Sequence, residues 1–343
     1  MSNINLKLAL RNILRNKLYT TINLVGLGIA SAFCILVYLY LKNEQSFDKF
    51  HHEVGQLYRV EESDIFSKPG DEKSDKSFFS FLTKKEDQKN IANTPPVLGI
   101  DLKRNFPEIE NAVRFDGFYK PVVKVGNQNF QENYNIVCAD ADFFKVFNFP
   151  LIKGDAATVL SGHNQVVISE RLAKKYFGDA DPIGKTVQLP GDTKPILLTV
   201  NGLMKDFPEN SSMQFDMIFP VESREDYQEK IKNGVNSFSE ILIIKIKNGT
   251  DVNRFQQKLD VFAKTYFKSL SDWLVKLDPK NKAADTHIYL RRFADAHYSE
   301  GGAWGHYTNL KNIYQLIGLA AIILVIACFN YVLLTLTNAI SRS

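Results

Sequence analysis

The chain is poor in the residues that staple or arm a small extracellular protein. It has three cysteines in 343 residues, and only Cys138 lies outside the two long apolar stretches that hold Cys34 and Cys328. One cysteine forms no internal disulfide, so the polar middle of the chain has to be held by an apolar core. The six histidines show no zinc-type spacing and no His-Glu-x-x-His, which gives no basis for a metal site. No Gly-x-Ser-x-Gly positions a serine nucleophile. Asp295 and His297 stand two apart, too little to nominate an acid–base pair, and are read as structural. No enzyme, cofactor or metal is therefore expected.

The most informative absence is one of charge. Residues 1–41 and 316–343 contain no Asp or Glu, while Lys7, Arg11, Arg15, Lys17 and Arg342 lie there. Of the 42 basic residues those five belong to the ends, so 37 stand against 38 acidic ones in between and the middle carries about −1. A near-neutral middle argues against nucleic-acid binding, which needs a basic patch in the soluble part.

Two stretches carry no charged side chain at all, Ile22 to Leu41 and Leu316 to Leu336. As helices rising ~1.5 Å per residue, each reaches the ~30 Å of bilayer hydrocarbon. A helix satisfies its own backbone polar groups in lipid, so both are read as transmembrane helices. A cleaved signal is the alternative for the first, but its apolar region exceeds a signal's ~7 to 15 residues. No small-x-small site follows it, and Ser31-Ala32-Phe33 before Cys34 is a poor lipidation site. For the second stretch the alternative is a buried core helix, which its length and lack of charge disfavour. The excess of positive charge at the ends places both termini in the cytoplasm and the middle outside. Thiol labelling of Cys138 from outside the cell is the expected check on that topology.

Residues 4–18 place Ile4, Leu6, Leu10, Ile13, Leu14 and Leu18 near one face of a helix, with Lys7, Arg11, Asn12, Arg15 and Asn16 largely opposite. That pattern is an interfacial helix against membrane lipid. Gly26 with Ala30 and Gly28 with Ala32 are small-xxx-small pairs that admit a neighbouring helix, and Asn330 is a polar amide deep in the second span. These point to packing in a larger bundle.

The middle alternates strands and helices. Gln56 to Glu62 reads as a strand, and Ser63 to Asn93 as a polar surface excursion. Thr94-Pro95-Pro96 opens a helix to about Asn105 with Thr94 as cap, and Asn111 to Phe118 is the next strand. Short strands follow through Pro150, with a turn at Gly126-Asn127 and a helical turn in 141–147. Gln165 to Ser169 feeds a helix over Glu170 to Phe177, and strands are expected at about Thr186 to Leu189 and Ile196 to Lys205. Glu240 to Lys247 is a central strand, Asp251 caps a helix to about Phe267, and His287 to Arg292 returns as a strand. The two strand-helix-strand units predict an α+β sheet with helices on one face. Gly178 to Thr186 mimics a phosphate-binding loop, but five residues rather than four separate its glycines, and a helix precedes it.

Several blocks together carry a resemblance: Leu8-Ala9-Leu10-Arg11-Asn12-Ile13-Leu14-Arg15-Asn16-Lys17, Asn23 to Ile29, Glu44-Gln45-Ser46-Phe47-Asp48-Lys49-Phe50-His51 and Leu57-Tyr58-Arg59-Val60. Further on come Asp181-Pro182-Ile183-Gly184-Lys185, Pro208-Glu209-Asn210-Ser211-Ser212, and Ala294 to Tyr298. The chain resembles the MacB/FtsX-like ABC transporter permeases of the type widespread in Bacteroidetes. The resemblance implies an inner-membrane, multi-pass, noncatalytic permease subunit of an export, efflux or mechanotransmission system. Residues 1–21 would be a cytoplasmic amphipathic helix, 22–41 and 316–336 the spans, 337–343 a cytoplasmic end, and 42–315 a two-lobed MacB-like periplasmic core domain. Its porter-like lobe would take about 50–120 and 240–300, and an inserted lobe about 121–239. A separate cytoplasmic ABC ATPase, further permease helices or a second permease copy, and a periplasmic adaptor are the implied partners. Arg11, Arg15 and Lys17 are assigned to ATPase coupling or membrane docking. The family's further spans are not in this sequence, which is therefore expected to be a fragment or truncated product. The rival reading is a two-span sensor or adaptor whose outer domain binds a ligand or partner protein.

Overall fold

A computed structural model of the chain describes residues 17–63, 90–118, 121–132, 136–277, 287–299 and 307–340. They fall into two compact units. One runs to Ser46 and resumes at Thr308, and the other is Phe47–Tyr307.

The first unit is a pair of helices, Lys17–Glu44 and Leu310–Ile340. Within them Thr20–Glu44 and Leu310–Leu333 are long and apolar enough to cross a membrane. Lys17 belongs to the same continuous helix as the first apolar stretch, and the interfacial helix expected over residues 4–18 lies almost wholly outside the described residues. The helices pack along each other. Asn23, Ala30, Cys34, Val37 and Leu41 are the shielded positions of one, and Ile313, Leu316, Ala320, Ile323 and Ala327 those of the other. The second set steps by alternating threes and fours, the spacing that keeps a helix seam facing its partner, and the first does so from Ala30 on, after one step of seven from Asn23.

The second unit is α+β. In chain order its strands are β1 (Leu57–Ser63), β2 (Asn90–Ile91), β3 (Asn93–Thr94), β4 (Ile109–Phe118), β5 (Val122–Val125), β6 (Gln128–Gln131) and β7 (Ile136–Ala139), followed by β8 (Leu151–Lys153), β9 (Gln165–Ser169), β10 (Thr186–Leu189), β11 (Ile196–Met204), β12 (Met217–Pro220), β13 (Glu240–Ile246) and β14 (Ile288–Arg292). They form one 14-stranded sheet in the order β14-β1-β13-β4-β7-β12-β9-β11-β10-β5-β6, with β2, β3 and β8 paired at its margins.

The strands β1 and β4 flank β13 and pair with it antiparallel, and β14 pairs with β1. Two strand-helix-strand units are thus interleaved, one through helix Pro96–Asn105 and one through helices Val252–Tyr266 and Lys268–Leu277. Asp251 caps the Val252–Tyr266 helix by accepting from Asn253 N and Arg254 N at 3.0 and 3.1 Å. Thr94 does not cap the earlier helix. Pro95 holds the cap position, and Thr94 sits in β3 with its hydroxyl donating to Glu240 O at 3.0 Å. A sheet bond outcompeted the local one, because β3 needs a partner on β13. Gly99 lets this helix come close: a Cβ there would lie 2.9 Å from Leu242 Cδ1. The surface excursion read over Ser63 to Asn93 lies mostly outside the described residues, except that β1 takes Ser63 and β2 and β3 take its end.

Alternation along the strands builds three apolar clusters. On one face a phenylalanine-rich cluster runs under strands from β1 to β12, with Val113, Phe115, Val137, Ala139 and Ile218 among its members. On the other face there are two clusters. One lies beneath the three helices just named, with Leu98, Leu242, Ile244 and Phe255, and one lies around helix Glu170–Phe177, with Ile136, Cys138, Leu172 and Phe219. Between these two, the same face carries charge.

That polar seam follows the β4–β7 pairing. Arg114 on β4 grips Asp140 just beyond β7, Nη2 to Oδ1 at 2.6 Å and Nε to Oδ2 at 2.9 Å, and its Nη1 donates to Pro96 O at 2.8 Å. Asp116 pairs with Arg224 and with Lys230 at 3.1 Å, and Arg224 also pairs with Asp226 at 2.6 Å. Burial works against the Arg114 charge, but Asp140 outweighs it and leaves the guanidinium above its ordinary value.

Candidate functional site

Buried hydrogen bonds and a ring stack join family-like residues where the second unit begins and ends. Phe47 to His52 follow the first apolar helix directly, and Phe293 to Ser299 come shortly before the second. Asp48 adopts φ 57°, the left-handed region that aspartate tolerates better than most residues. That turn aims its backbone and carboxylate at the 208–213 loop. Asp48 N donates to Asn210 O at 2.9 Å, and Oδ1 accepts from Ser212 N at 2.8 Å and Ser211 Oγ at 3.4 Å. Ser212 Oγ lies 3.0 Å from His297 Nδ1, and the His297 ring stacks on Phe47 with centroids 3.8 Å apart and planes at 17°.

Three segments far apart in sequence are thereby closed on one another. The stack is worth about 0.5–1.5 kcal/mol, and each hydrogen bond contributes a similar net amount. Asp48, Ser212 and His297 are all at most 1% exposed. Burial raises the Asp48 carboxyl above its usual range, against the pull of Ser212, His297 and Ser211.

His51 extends the clasp. Its Nδ1 accepts from Asn148 N at 3.1 Å, and His52 N donates to Asn148 Oδ1 at 3.0 Å. The ring is enclosed by Phe50, Phe147, Phe149 and Phe293 at centroid distances of 4.2 to 5.7 Å. With Nδ1 accepting, the ring proton sits on Nε2, which is buried without a partner. Burial pushes this imidazole down to about 4, and His52 adds to the shift.

Aspartate, serine and histidine together evoke a hydrolytic triad, but the geometry does not make one. Asp48 bonds the Ser212 amide, not the imidazole, and the hydroxyl is closed off from any substrate. The arrangement is built to hold. Asp295, two residues from His297, takes no part through its side chain, and only its carbonyl accepts from the His297 and Tyr298 amides.

The remaining sequence-selected residues fall elsewhere. Arg11 and Arg15 lie outside the described residues, and Lys17 is exposed at the helix start. Ala30 is buried against the second helix, 1% exposed, and Cys34 Sγ reaches Ala320 O at 3.9 Å. Gly26, Gly28 and Ala32 face away from that seam, and so does Asn330. A Cβ placed on either glycine would meet nothing within 4 Å. Cys138 is wholly buried and its thiol is pushed up to about 12 by burial. It would stay unlabelled on either side of a membrane, so the labelling check expected of it is void. In Gly178 to Thr186, the loop follows helix Glu170–Phe177, Asp181 pairs with Lys153 at 2.7 Å, and Lys185 Nζ lies 4.8 Å from the Phe177 ring centroid. That lysine covers an aromatic face where a phosphate-binding loop would leave it free.

Sequence reasoning missed Asp48, Ser212 and His297 as a set. The signal was present in three family-like blocks, Glu44 to His51, Pro208 to Ser212 and Ala294 to Tyr298, each of which brings a polar residue into the buried interior.

Comparison with known proteins agrees with this architecture. Residues 20–261 match the family model of the MacB-like periplasmic core domain. Among solved structures, a domain of a candidate permease protein from Porphyromonas gingivalis is similar over 77% of this chain and 98% of its own, at 17% identity and a TM-score of 0.52. The periplasmic region of MacB from Actinobacillus actinomycetemcomitans aligns over 70% of this chain and 90% of its own, at 16% identity and a TM-score of 0.40. The extracellular domain of the noncanonic ABC-type transporter YknZ from Gram-positive bacteria covers 68% and 99%, at 13% and 0.39. No curated protein matches the chain.

Proposed function

Since the chain belongs to the family of MacB-like periplasmic core domains, we propose that it is the noncatalytic permease subunit of an ABC-type export or mechanotransmission system. A separate cytoplasmic ATPase supplies the work. The two apolar helices lie in the inner membrane with both termini in the cytoplasm and residues 47–307 in the periplasm. The half of the sheet built on β14, β1, β13 and β4 is the porter-like lobe, and 121–239 is the inserted one.

The observation that carries this reading is the clasp. A domain that relays motion from membrane helices needs its first and last segments fixed to its body, or the motion dissipates in loose linkers. The Phe47–His297 stack and the Asp48–Ser212 bonds fix both segments to the 208–213 loop. The outward Gly26, Gly28, Ala32 and Asn330 leave room for further permease helices or a second copy, since small residues and an amide are what helix contacts in lipid use.

Two experiments test the proposal. With Arg11→Glu and Arg15→Glu in the full-length permease, co-purification of the co-expressed ATPase is expected to fall, and unchanged recovery would refute the coupling role. For topology, Lys264 is exposed on helix Val252–Tyr266. A Lys264→Cys variant should react with an impermeant maleimide on spheroplasts, and reaction only after permeabilisation would overturn the orientation.

A further inference from the structure

The polar seam between the two helix-side cores holds one carboxylate too many. Among the described residues its cations are Arg114, Arg224 and Lys230, and its anions are Asp116, Asp140, Asp226 and Glu240. Three of the anions are gripped. Asp140 takes both arms of Arg114, Asp116 takes Arg224 and Lys230, and Asp226 takes Arg224 and, at 3.4 Å, Lys230.

Glu240 is different. Its side chain is 1% exposed, its Oε2 is buried with no hydrogen-bond partner, and its nearest cation, Arg114 Nε, is 3.8 Å away and already committed to Asp140. The antiparallel register that sets Ile241 opposite Phe115 sets Glu240 opposite Asp116 on the same face. On its other side Glu240 pairs with Thr94, whose hydroxyl is spent on the Glu240 carbonyl. Beyond Asp116 in the same row comes Cys138, a buried thiol that stays neutral. Tyr227 adds a hydroxyl 3.5 Å from Arg114 Nη2 and no charge. A carboxylate directly across from a like charge, with no donor of its own, is a destabilising neighbour.

We propose that Glu240 is a proton-operated latch on the β4–β7 junction. With Glu240 protonated, the seam holds three positive and three negative groups, and Arg114 is left undivided to Asp140. With Glu240 ionised, the seam carries a net negative charge, Arg114 is drawn toward two carboxylates, and Asp116 faces a second anion, so the pairing of β4 with β7 loosens. The ligand is the proton, and the device senses the acidity of the compartment holding the sheet. A cleft of about 450 Å³ lined by Arg114, Asp140, Lys103 and Asp142 among others opens beside the seam. The side-chain environment agrees: burial raises Glu240 to about 7, Arg114 and Lys230 pulling it down while Asp140 and Asp116 push it up. For an acid raised above its unfolded value, folded stability is full below about 4.5 and is lost as pH rises through about 7. The inference does not depend on the coupling role, and it would hold for any protein with this junction.

The test is hydrogen exchange on the full chain in detergent, between about pH 6 and about pH 8, corrected for the intrinsic amide rate. Peptides over β4 and β7 report the junction, and peptides over β9 and β11 serve as the internal reference. On going to the higher pH the wild-type junction should lose about tenfold in protection, with the reference unchanged. In Glu240→Gln the junction should stay protected at both. An equal pH response in wild type and Glu240→Gln, or loss of protection in Glu240→Gln already at the lower pH, would overturn the proposal. Should Glu240→Gln not fold, Asp116→Asn decides. Removing the opposing charge should move the midpoint of the response to lower pH, and an unmoved midpoint is the refuting result.

Discussion

Acidification should weaken the clasp through His51 in a window set by burial. The imidazole titrates near 6.5 in an unfolded chain and near 4 in the folded one. Between those values the unfolded chain binds a proton that the native state refuses, so this contribution is present above about 6.5 and lost as pH falls through about 4. At ~1.4 kcal/mol per pH unit, the full window is worth about 3 kcal/mol. The structural cause is specific. Protonating Nδ1 removes the acceptor of the Asn148 amide and places a charge inside a ring of phenylalanines. His51→Asn retains an acceptor close to the Nδ1 position and does not titrate. At neutral pH it should cost about 2 kcal/mol in lost ring contacts.

The useful quantity is how that cost changes. From about pH 7.5 to about pH 5 the wild type gives up about 2 kcal/mol through His51, and the variant gives up none of it. The stability gap between them should therefore nearly close. Urea unfolding of the full chain in detergent, followed by fluorescence of Trp273 and Trp304, measures the gap at each pH. Glu240 and Asp48, both raised by burial, shift stability in the opposite direction over part of this range. They do so equally in both proteins and drop out of the difference. A gap that stays constant with pH would refute the claim that burial holds His51 neutral.

Two further outcomes are expected. Phe47→Ala and His297→Ala should each lower the unfolding free energy by about 2 kcal/mol, and the double variant should cost about 1 kcal/mol less than their sum, because both singles remove the same stack; strict additivity would show that the rings do not interact. Ala320→Cys should form an oxidant-induced cross-link with native Cys34, whose sulfur already reaches the Ala320 carbonyl. Adding Ala30→Leu should suppress that cross-link on gels by prising the helix seam apart, and undiminished cross-linking would refute the seam.

The elements that were legible in the sequence are those whose signals are local. The strand over Gln165 to Ser169 and the helix over Glu170 to Phe177 fall where read, because the serine that ends the strand caps the helix, accepting from Leu172 N at 3.1 Å. Asp251 likewise caps where expected, and Gly249 takes φ 82° in the turn before it. Several elements went unread, among them Leu151–Lys153 and Tyr227–Asn233. Met217 to Pro220 is a four-residue run too short for periodicity to separate from loop, and Lys268 to Leu277 continues from Val252–Tyr266 after a break at Phe267 that has no glycine or proline to mark it. Thr94 failed for the opposite reason: its local cap signal was sound, and a sheet position 146 residues away took the hydroxyl instead.

The clasp and the seam were illegible in a deeper sense, because what matters there is which polar group lacks a partner. In the sequence Asp48 and Ser212 stand only within family-like blocks, His297 is read as structural, and Glu240 begins a strand, each unremarkable alone. Their meaning comes from burial at a point where distant segments meet, and binary pattern encodes only which face a side chain takes. Alternation along β4 does predict that Arg114 and Asp116 share a face. It does not say that this face is covered there by two separate apolar cores with a gap between them, and the gap is what turns an ordinary pair of surface charges into a buried network with one surplus carboxylate. In a chain of this kind a polar residue flanked by apolar alternation on both sides is the position to examine first, since the pattern has already committed it to an interior whose other occupants lie elsewhere in the sequence.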